Sequence, residues 1–163
     1  MVIHNDMFGA TKERPTVLVS GGFDPVHVGH IRMIREAAKY GDVIVIANSD
    51  EWLHSKKGFM FMDFNARHEI LDAIKGVLVV DSVDDSDGTV CDALRRHKPT
   101  YFANGGDRGK NNTPEVLLCK ELGIELLWGI GGAEKIESSS DLVKKIRDKK
   151  PPKARVKPKQ SSR

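Results

Sequence analysis

Short apolar runs rich in β-branched residues alternate with longer helical patterns from Thr16 onward. A short run of this kind predicts a buried strand, and apolar residues that recur every three or four positions predict a helix with one face on a core. Consecutive parallel strands need a long crossover, which a helix supplies. The alternation therefore predicts an α/β fold: a single Rossmann-like domain with a doubly wound, parallel five-stranded sheet.

Start and stop signals for helices give approximate limits of the elements. The strands are predicted over 16–20, 42–48, 77–80, 100–103 and 125–128. The helices are predicted over 28–40, from the N-cap Asp63 to Gly76, from a cap at Ser86 or Asp87 to about His97, from Pro114 to Leu122, and from about Ser139.

Two segments between the strands carry more specific expectations. The stretch from the second strand to about Met62 is polar and contains glycine, so we expect a connection without regular structure. In the helix after Asp63, the residues Ala66, Ile70 and Ile74 are spaced four apart, and this spacing predicts that they face the core.

A chain of 163 residues has the length of one domain with tails. We expect an N-terminal extension over 1–14, the domain over 15–148 and a tail over 149–163. The tail holds seven basic residues, no acidic residue and three prolines, so it cannot bury enough apolar surface to order itself. We interpret it as a disordered, solubilising end, with weak attraction to nucleic acid as the functional alternative.

The longest apolar runs are far shorter than the roughly 20 residues that a transmembrane helix needs. The first 14 residues contain no apolar segment typical of a secretory signal, so we expect a cytoplasmic protein without a membrane partner. Cys91 and Cys119 each lie in an apolar helical pattern without CxxC spacing, and we expect two buried, reduced thiols.

Three common ligand motifs do not match this sequence. The segment after the first strand is not G-x-G-x-x-G, which argues against NAD or FAD. The loop 104–111 lacks both the first glycine and the Ser or Thr of a P-loop. The acidic stretch 84–88 resembles a calcium loop but has Val83 and Leu94 at the first and last ligand positions, so we interpret it as a polar turn and helix cap.

The segment Gly21 to His30, with the sequence GGFDPVHVGH, joins the first strand to the first helix and carries two histidines three apart. His27 and His30 fall in one helical turn, beside backbone N–H groups without helical partners and at the positive end of the helix dipole, a place that attracts phosphate. Gly29 leaves room for a ligand between the imidazoles, and the two leading glycines let backbone approach an anion. A metal site would need a third ligand in register, and we assign no metal ligand.

The frame G-x-F-D-x-x-H-x-G-H resembles the signature of the nucleotidylyltransferase superfamily. In pattern the chain is closest to glycerol-3-phosphate cytidylyltransferase and the heptose-1-phosphate adenylyltransferase domain, and its serine run followed by Leu142-Val143 is similar to the pantetheine-phosphate group. Further elements follow in the family's order over roughly 16–147: Asn48-Ser49-Asp50 with Lys56 and Lys57, Arg67 with Ile70-Leu71, Gly105-Gly106-Asp107, and Ser138-Ser139-Ser140.

The resemblance implies transfer of a nucleoside monophosphate from CTP or ATP to a phosphorylated sugar, polyol or similar acceptor, with release of pyrophosphate. The acceptor's phosphate oxygen would attack the α-phosphorus in line, without a covalent enzyme intermediate. The implied catalytic residues are His27 and His30, which would stabilise charge on the α-phosphate and leaving group, and Lys57, or its neighbour Lys56, as a mobile cation.

The resemblance also implies Mg²⁺ bound with the nucleoside triphosphate and held by substrate and water, with Asp24 as the candidate protein ligand, and it suggests a homodimer. Arg67 would pair with the triphosphate or the acceptor, and the three serines would bind the β- and γ-phosphates. The implied nucleotide-binding residues are Gly21, Gly22, Phe23, Asp24, Gly29, Lys56, Arg67, Gly105, Gly106, Asp107, Ser138, Ser139 and Ser140.

Two other classes of function stay open at this point. A nucleotide-binding module without turnover would bind nucleotide and release no pyrophosphate. A nucleic-acid-associated protein acting through the basic tail would show salt-dependent binding that deletion of 149–163 abolishes. No single side chain specifies CTP over ATP or identifies the acceptor, and we assign Trp52 and Trp128 to packing or the surface.

Overall fold

A computed structural model describes residues 13–104, 112–132 and 138–149. The strands are β1 (Thr16–Gly21), β2 (Asp42–Ala47), β3 (Val77–Asp81), β4 (Tyr101–Asn104) and β5 (Glu125–Trp128). The helices are α1 (Val28–Ala37), α2 (Asp50–Lys57), α3 (Phe64–Asp72), α4 (Cys91–His97), α5 (Pro114–Leu122) and α6 (Ser139–Arg147).

The five strands form one parallel sheet in the order β3-β2-β1-β4-β5. Strand β1 pairs with β2 along its whole length, from Thr16 opposite Asp42 to Gly21 opposite Ala47, and with β4 on its other side. The chain order reverses between β1 and β4, and a crevice opens at such a point beyond the carboxyl ends of the strands. The predicted doubly wound, parallel α/β domain is confirmed.

The core has two layers, one on each face of the sheet, because successive strand residues point to opposite faces. Val17 and Val19 of β1 pack on one face with Ile34 of α1 and Leu71 of α3. Leu18 of β1 packs on the other face with side chains of α4 and α5, among them Leu94, Leu118 and Cys119. Helices on both faces explain why β1 and β2 are uninterrupted apolar runs.

Strand β3 differs from the expectation that each short apolar run forms a buried strand. It lies at the edge of the sheet, where Leu78 and Val79 are 59% and 37% exposed. An edge strand has only one neighbour, so the same apolar composition that is buried in β1 is partly exposed here.

Helix α2 corrects the prediction of an irregular connection between the second strand and Met62. Ser49 caps it by accepting a hydrogen bond from the backbone N–H of Trp52, and Gly58 ends it with a left-handed φ of 76°. Only Leu53 is buried in this helix, so its apolar periodicity is weak. The capping residues were the better signal.

Three further expectations were wrong in detail. Helix α1 ends at Ala37 and not at Tyr40. Asp63 caps α3 as predicted, but the helix ends at Asp72 and its buried residues are Arg67 and Leu71, while Ile70 is exposed. Helix α4 has Val90 at its N-cap without a side-chain hydrogen bond, and Ser86 and Asp87 form turns before it.

The predictions for α5, β5 and the start of α6 are confirmed, with Pro114 in the first turn of α5 and Gly123 at its end. Cys91 and Cys119 are buried free thiols, and burial raises the pKa of Cys119 to about 11. No helix among the described residues combines the length and apolar character that a membrane crossing needs. The predicted N-terminal extension and basic tail fall almost entirely outside the described residues.

Candidate functional site

The two histidines of the GGFDPVHVGH segment form the first turn of α1. His27 is the N-cap residue, and its Nδ1 accepts a hydrogen bond from the backbone N–H of Gly29 at 3.0 Å. Nδ1 of His30 accepts one from the backbone N–H of His27 at 3.2 Å. The rings stack with centroids 3.8 Å apart, so the spacing predicted to place both histidines on one turn does so.

These hydrogen bonds fix the protonation pattern of the rings. An imidazole nitrogen that accepts a hydrogen bond carries no proton, so the proton of each neutral ring is assigned to Nε2. Burial, together with nearby His27 and Lys57, lowers the pKa of His30 to about 3. His30 is therefore neutral at pH 7 and is an N–H donor at Nε2.

Asp24 holds the turn before the histidines in place. Its carboxylate is fully buried and accepts hydrogen bonds from the backbone N–H groups of Phe61 and Met62, each at 2.7 Å. Asp24 precedes a cis bond to Pro25, and Phe23 has a left-handed φ of 51°. Because its side chain is 0% exposed and both oxygens accept backbone donors, Asp24 does not fit the expected role of magnesium ligand. It anchors this turn to the segment after α2.

Gly22 lies where helix α2 approaches the end of β1. A Cβ at this position would come within 2.9 Å of Leu53 Cδ2 and 3.6 Å of the Trp52 ring. The glycine predicted for close approach of an anion therefore also allows close approach of a helix.

Lys57, at the end of α2, reaches the same turn. Its Nζ donates a hydrogen bond to the backbone oxygen of Asp24 at 3.2 Å. Burial is the main cause that lowers the pKa of Lys57, with Asp24 raising it and Arg67 lowering it. The structure thus brings Lys57 beside the histidine turn, while Lys56 is exposed and points to the clefts described below.

Arg67 corrects the expectation of direct contact with a triphosphate or acceptor. Its side chain is 0% exposed, and its guanidinium donates to the backbone oxygens of Gly22, Asn48 and Met62 and to the carboxylate of Asp50, at 2.7 to 3.1 Å. Four of its five N–H donors are thereby used. Arg67 joins the ends of β1 and β2 to the start of α2 and positions the site without reaching its surface.

Asp85 has a site role that the sequence analysis missed. It follows β3 and is buried, and its carboxylate accepts hydrogen bonds from Asn48 Nδ2 at 3.0 Å and from the backbone N–H and hydroxyl of Ser49 at 2.9 and 2.6 Å. It therefore fixes the turn that starts α2. An acidic residue just after a strand, at the carboxyl edge of the sheet, was the available signal.

The three serines at the start of α6 have different surroundings. Ser138 is the N-cap, and its hydroxyl accepts from the backbone N–H of Asp141 and donates to that residue's carboxylate. Ser139 is buried, and its hydroxyl donates to the backbone oxygen of Pro25 at 3.1 Å. Ser140 is exposed. The start of α6 therefore lies against the histidine turn, and Ser140 keeps its hydroxyl at the surface.

Two clefts flank α2. The larger, of about 660 Å³, lies between α2 and the segment after β3 and is lined by Ser49, Trp52, Ser55, Lys56, Asp84 and Asp85, among others. The smaller, of about 430 Å³, lies between the end of α2 and α6 and is named the α2–α6 groove; Lys56, Lys57, Phe59, Ser140, Lys144 and Arg147 line it, among others. Trp52, assigned from the sequence to packing or the surface, lines the larger cleft, and Lys144 and Arg147 were not singled out from the sequence.

Asn104 is the last residue of β4, at the edge of the sheet where the crevice between β1 and β4 opens. Its side-chain Nδ2 is buried and has no hydrogen-bond partner in the described structure. A buried donor without a partner is costly unless a ligand or water accepts from it. The predicted nucleotide contacts Gly105, Gly106 and Asp107 follow directly and lie outside the described residues. Across the described ranges, no group of three or more His, Cys, Asp or Glu side chains is placed to hold a metal ion.

Comparison with known proteins identifies related sequences. The model of the cytidylyltransferase-like family matches residues 18–147. The bifunctional protein HldE of Geobacter metallireducens is 30% identical over 139 residues, which cover 80% of this chain and 26% of that protein. HldE of Pseudomonas fluorescens is 28% identical over 138 residues, covering 80% and 27%. The chain thus spans about a quarter of the length of these curated relatives.

Solved structures share the fold. A lipopolysaccharide core biosynthesis protein from Thermoplasma volcanium superposes with a TM-score of 0.58 at 22% identity, over 71% of this chain and 96% of that one. A protein of unknown function from Archaeoglobus fulgidus superposes with a TM-score of 0.52 at 16% identity, over 77% and 96%. At these identities the likeness extends to the fold alone.

Proposed function

The chain belongs to the cytidylyltransferase-like family, and on that premise we propose that it is a nucleotidyltransferase. It transfers a nucleoside monophosphate from CTP or ATP to a small phosphorylated acceptor. A phosphate oxygen of the acceptor forms a bond to the α-phosphorus as the bond to the bridging oxygen breaks, and that oxygen leaves with the electron pair on pyrophosphate.

The observation that carries this proposal is the capped histidine pair at the start of α1. Both Nδ1 atoms accept backbone hydrogen bonds, so in the neutral rings both protons lie on Nε2. With His30 neutral at pH 7, its Nε2–H is a donor that needs no change of protonation when charge develops on phosphate oxygens. Donors held in place before the reaction stabilise a transition state without reorganisation.

Lys57 supplies a positive charge beside the neutral His30. Its Nζ is held 3.2 Å from the backbone oxygen of Asp24, beside the same turn. A phosphate oxygen is a stronger partner for an ammonium group than this neutral backbone oxygen. We assign Lys57 to the charge that builds up on the α-phosphate and leaving group.

We assign the acceptor to the larger cleft beside α2. Its volume of about 660 Å³ is within the range of about 300–1,000 Å³ for small-molecule sites. Serine hydroxyls and the carboxylate of Asp84 provide hydrogen bonds for a polyhydroxylated ligand, Trp52 provides an apolar face, and exposed Lys56 provides a charge for its phosphate. These features support a sugar or polyol phosphate as acceptor.

Magnesium enters this proposal with the triphosphate. Among the described residues, no group of three or more His, Cys, Asp or Glu side chains is placed to hold it, and Asp24 is fully buried. Mg²⁺ commonly keeps several waters and is bound largely by substrate phosphates in such sites. When bound, it would neutralise phosphate charge, and no residue of the described chain is assigned to it.

Pyrophosphate release tests the proposed function. The full chain is incubated with magnesium and each of CTP, ATP, GTP and UTP, against a panel of sugar, polyol and aminoalcohol phosphates and phosphopantetheine. Release that requires one nucleotide and one acceptor together supports transfer and identifies both substrates. Nucleotide binding without release across the panel contradicts transfer and favours a binding module without turnover.

A further inference from the structure

One wall of the larger cleft is formed by residues 82–88, between β3 and α4, and is named the cleft wall. It contains no helix or strand, so side chains from other elements must fix its position. Asp85 ties it to the start of α2 through hydrogen bonds with Ser49. The exposed Asp84 lies next to Asp85 and also lines the cleft.

Asp84 uses one carboxylate oxygen within the cleft wall and leaves the other without a donor. Oδ1 accepts hydrogen bonds from the hydroxyl and the backbone N–H of Ser86, at 2.6 and 3.1 Å. These two bonds lower the pKa of Asp84, so the carboxylate is ionised at neutral pH. Among the described residues, no donor reaches Oδ2. An ionised oxygen at a cleft is a strong acceptor for a hydroxyl group of a ligand.

Helix α4 holds the cleft wall through Asp92 and Arg96. The backbone N–H of Asp84 donates to Asp92 Oδ2 at 3.2 Å. Arg96 donates from Nε to the same oxygen of Asp92 at 3.1 Å and from Nη2 to the backbone oxygen of Ser82 at 2.7 Å. One guanidinium therefore fixes the wall directly at Ser82, and indirectly at Asp84 through Asp92.

Arg96 is in turn held by the end of β3. Its Nη1 donates to Asp81 Oδ2 at 2.6 Å, and His97 Nε2 lies 2.8 Å from the same oxygen. Burial acts to raise the pKa of Asp81, but the hydrogen bonds with Arg96 and His97 bring it below its usual value, so this carboxylate is charged at neutral pH. Asp81 belongs to the sheet and Leu94 anchors α4 in the core. Arg96 thus connects the cleft wall to two fixed elements.

We propose that Arg96 is a positioning residue for the acceptor: through Asp92 it sets where Asp84 meets a hydroxyl group of a sugar or polyol phosphate. The assignment of that ligand to the cleft rests on the proposed function. Arg96 is not among the residues that line the cleft. Its side chain is 42% exposed, so its ion pairs contribute little to stability and its loss acts mainly on the position of the wall.

Calorimetric titration of the full chain with each sugar and polyol phosphate of the panel, without nucleotide, tests this role. The ligand that the parent chain binds most tightly is then used with the variants. Asp84→Asn should bind it at least about tenfold more weakly, because a charge-assisted hydrogen bond is lost. Arg96→Met should bind it at least about fivefold more weakly, because Asp84 loses its fixed position.

The double variant Asp84→Asn with Arg96→Met separates positioning from a general loosening of the fold. If Arg96 acts through Asp84, the double variant binds within about twofold of the weaker single variant, because the second change has nothing left to remove. Independent effects would multiply, and a multiplied loss overturns the proposal.

Each variant has a matched control on the same element. Arg95→Met removes an exposed cation of α4 that takes part in none of the ion pairs recorded among the described residues. Asp87→Asn changes an exposed carboxylate of the cleft wall that does not line the cleft. Both should stay within about twofold of the parent chain. Binding of CTP and ATP should be equally unchanged in all variants, and a loss of nucleotide binding as large as that of the acceptor overturns the proposal.

These titrations need no turnover, so they distinguish this proposal from the proposed function. A chain that releases no pyrophosphate but shows the coupling of Arg96 with Asp84 refutes transfer and keeps the positioning role. A chain that catalyses transfer while Arg96→Met binds the acceptor as the parent does keeps the function and overturns the role of Arg96. Failure of the parent chain to bind any member of the panel also overturns it.

Discussion

The imidazole ring of His27 stacks on that of His30, with centroids 3.8 Å and planes 22° apart. Both rings use Nδ1 to accept a backbone N–H of the same turn, so one pair of side chains both caps α1 and orients two Nε2 atoms. The H-x-G-H spacing thus both stabilises the start of α1 and orients the two imidazole rings. Variants of the histidines therefore have to be tested for stability and for activity separately.

Replacement of His30 by alanine is expected to lower turnover by at least about 10²-fold, because a donor to the transition state is lost. The fold should lose only about 1 kcal/mol, the usual cost of a lost helix cap. Steady-state kinetics and thermal melts measure the two effects. His54→Ala, which removes an exposed imidazole from α2, is the control and should be near normal. Near-normal turnover of His30→Ala would contradict the assigned role.

The stability of the chain should depend on pH through His30. Its pKa is about 3 in the folded protein and 6.5 ordinarily, so between these values the unfolded state binds a proton that the folded state does not. Above pH 6.5 this group does not reduce the free energy of unfolding. As the pH drops from 6.5 toward 3, proton uptake by the unfolded state lowers the free energy of unfolding progressively. At pH 5 the loss is about 2 kcal/mol.

Urea unfolding at pH 7.5 and pH 5 measures this loss in the parent chain and in His30→Gln, whose side chain does not titrate. The variant should lose less stability between the two pH values, whereas His54→Gln should behave as the parent. Equal losses in the parent and His30→Gln would show that the buried imidazole is not the titrating group.

Lys57 should set the alkaline limit of activity. Burial lowers its pKa below the ordinary 10.5, and the proposed role needs the charged form. As the pH rises through this lowered pKa, kcat/KM should fall, since this ratio reports groups of the free enzyme. In Lys57→Arg the limb should move to higher pH, because a guanidinium stays charged. An unmoved limb would assign it to another group.

Arg67→Met should destabilise the fold by about 3 kcal/mol, because it leaves buried backbone oxygens and the Asp50 carboxylate without their donor. Arg96→Met is the matched control: Arg96 also pairs with carboxylates, those of Asp81 and Asp92, but at a partly exposed surface. There the expected cost is at most about 1 kcal/mol. Urea unfolding of both variants measures the two losses of stability. Equal losses would show that burial of Arg67 contributes little to stability.

Several features of the fold could be predicted because their signals are local. Apolar periodicity gave the strands and most helices, and Asp63, Pro114 and Gly123 marked helix limits through capping. Helix α2 was not predicted, because only Leu53 is buried in it and the cap at Ser49 is its main local signal. The domain limits, the homodimer and the contacts of Gly105, Gly106 and Asp107 stay predictions.

The sequence by itself determined that a parallel sheet forms and that two histidines meet at a helix start, since both depend on spacing within a few residues. Only the tertiary structure decided which groups Arg67 binds, since one of them, the backbone oxygen of Gly22, lies 45 positions away in the sequence. The same holds for the hydrogen bond between Ser49 and Asp85. The tertiary structure also decided the burial that keeps His30 neutral and the groove between α2 and α6. The physical reason is that the burial, the electrostatic environment and the hydrogen-bond partners of a side chain depend on which other elements pack against it. A pattern within a few residues does not contain that information.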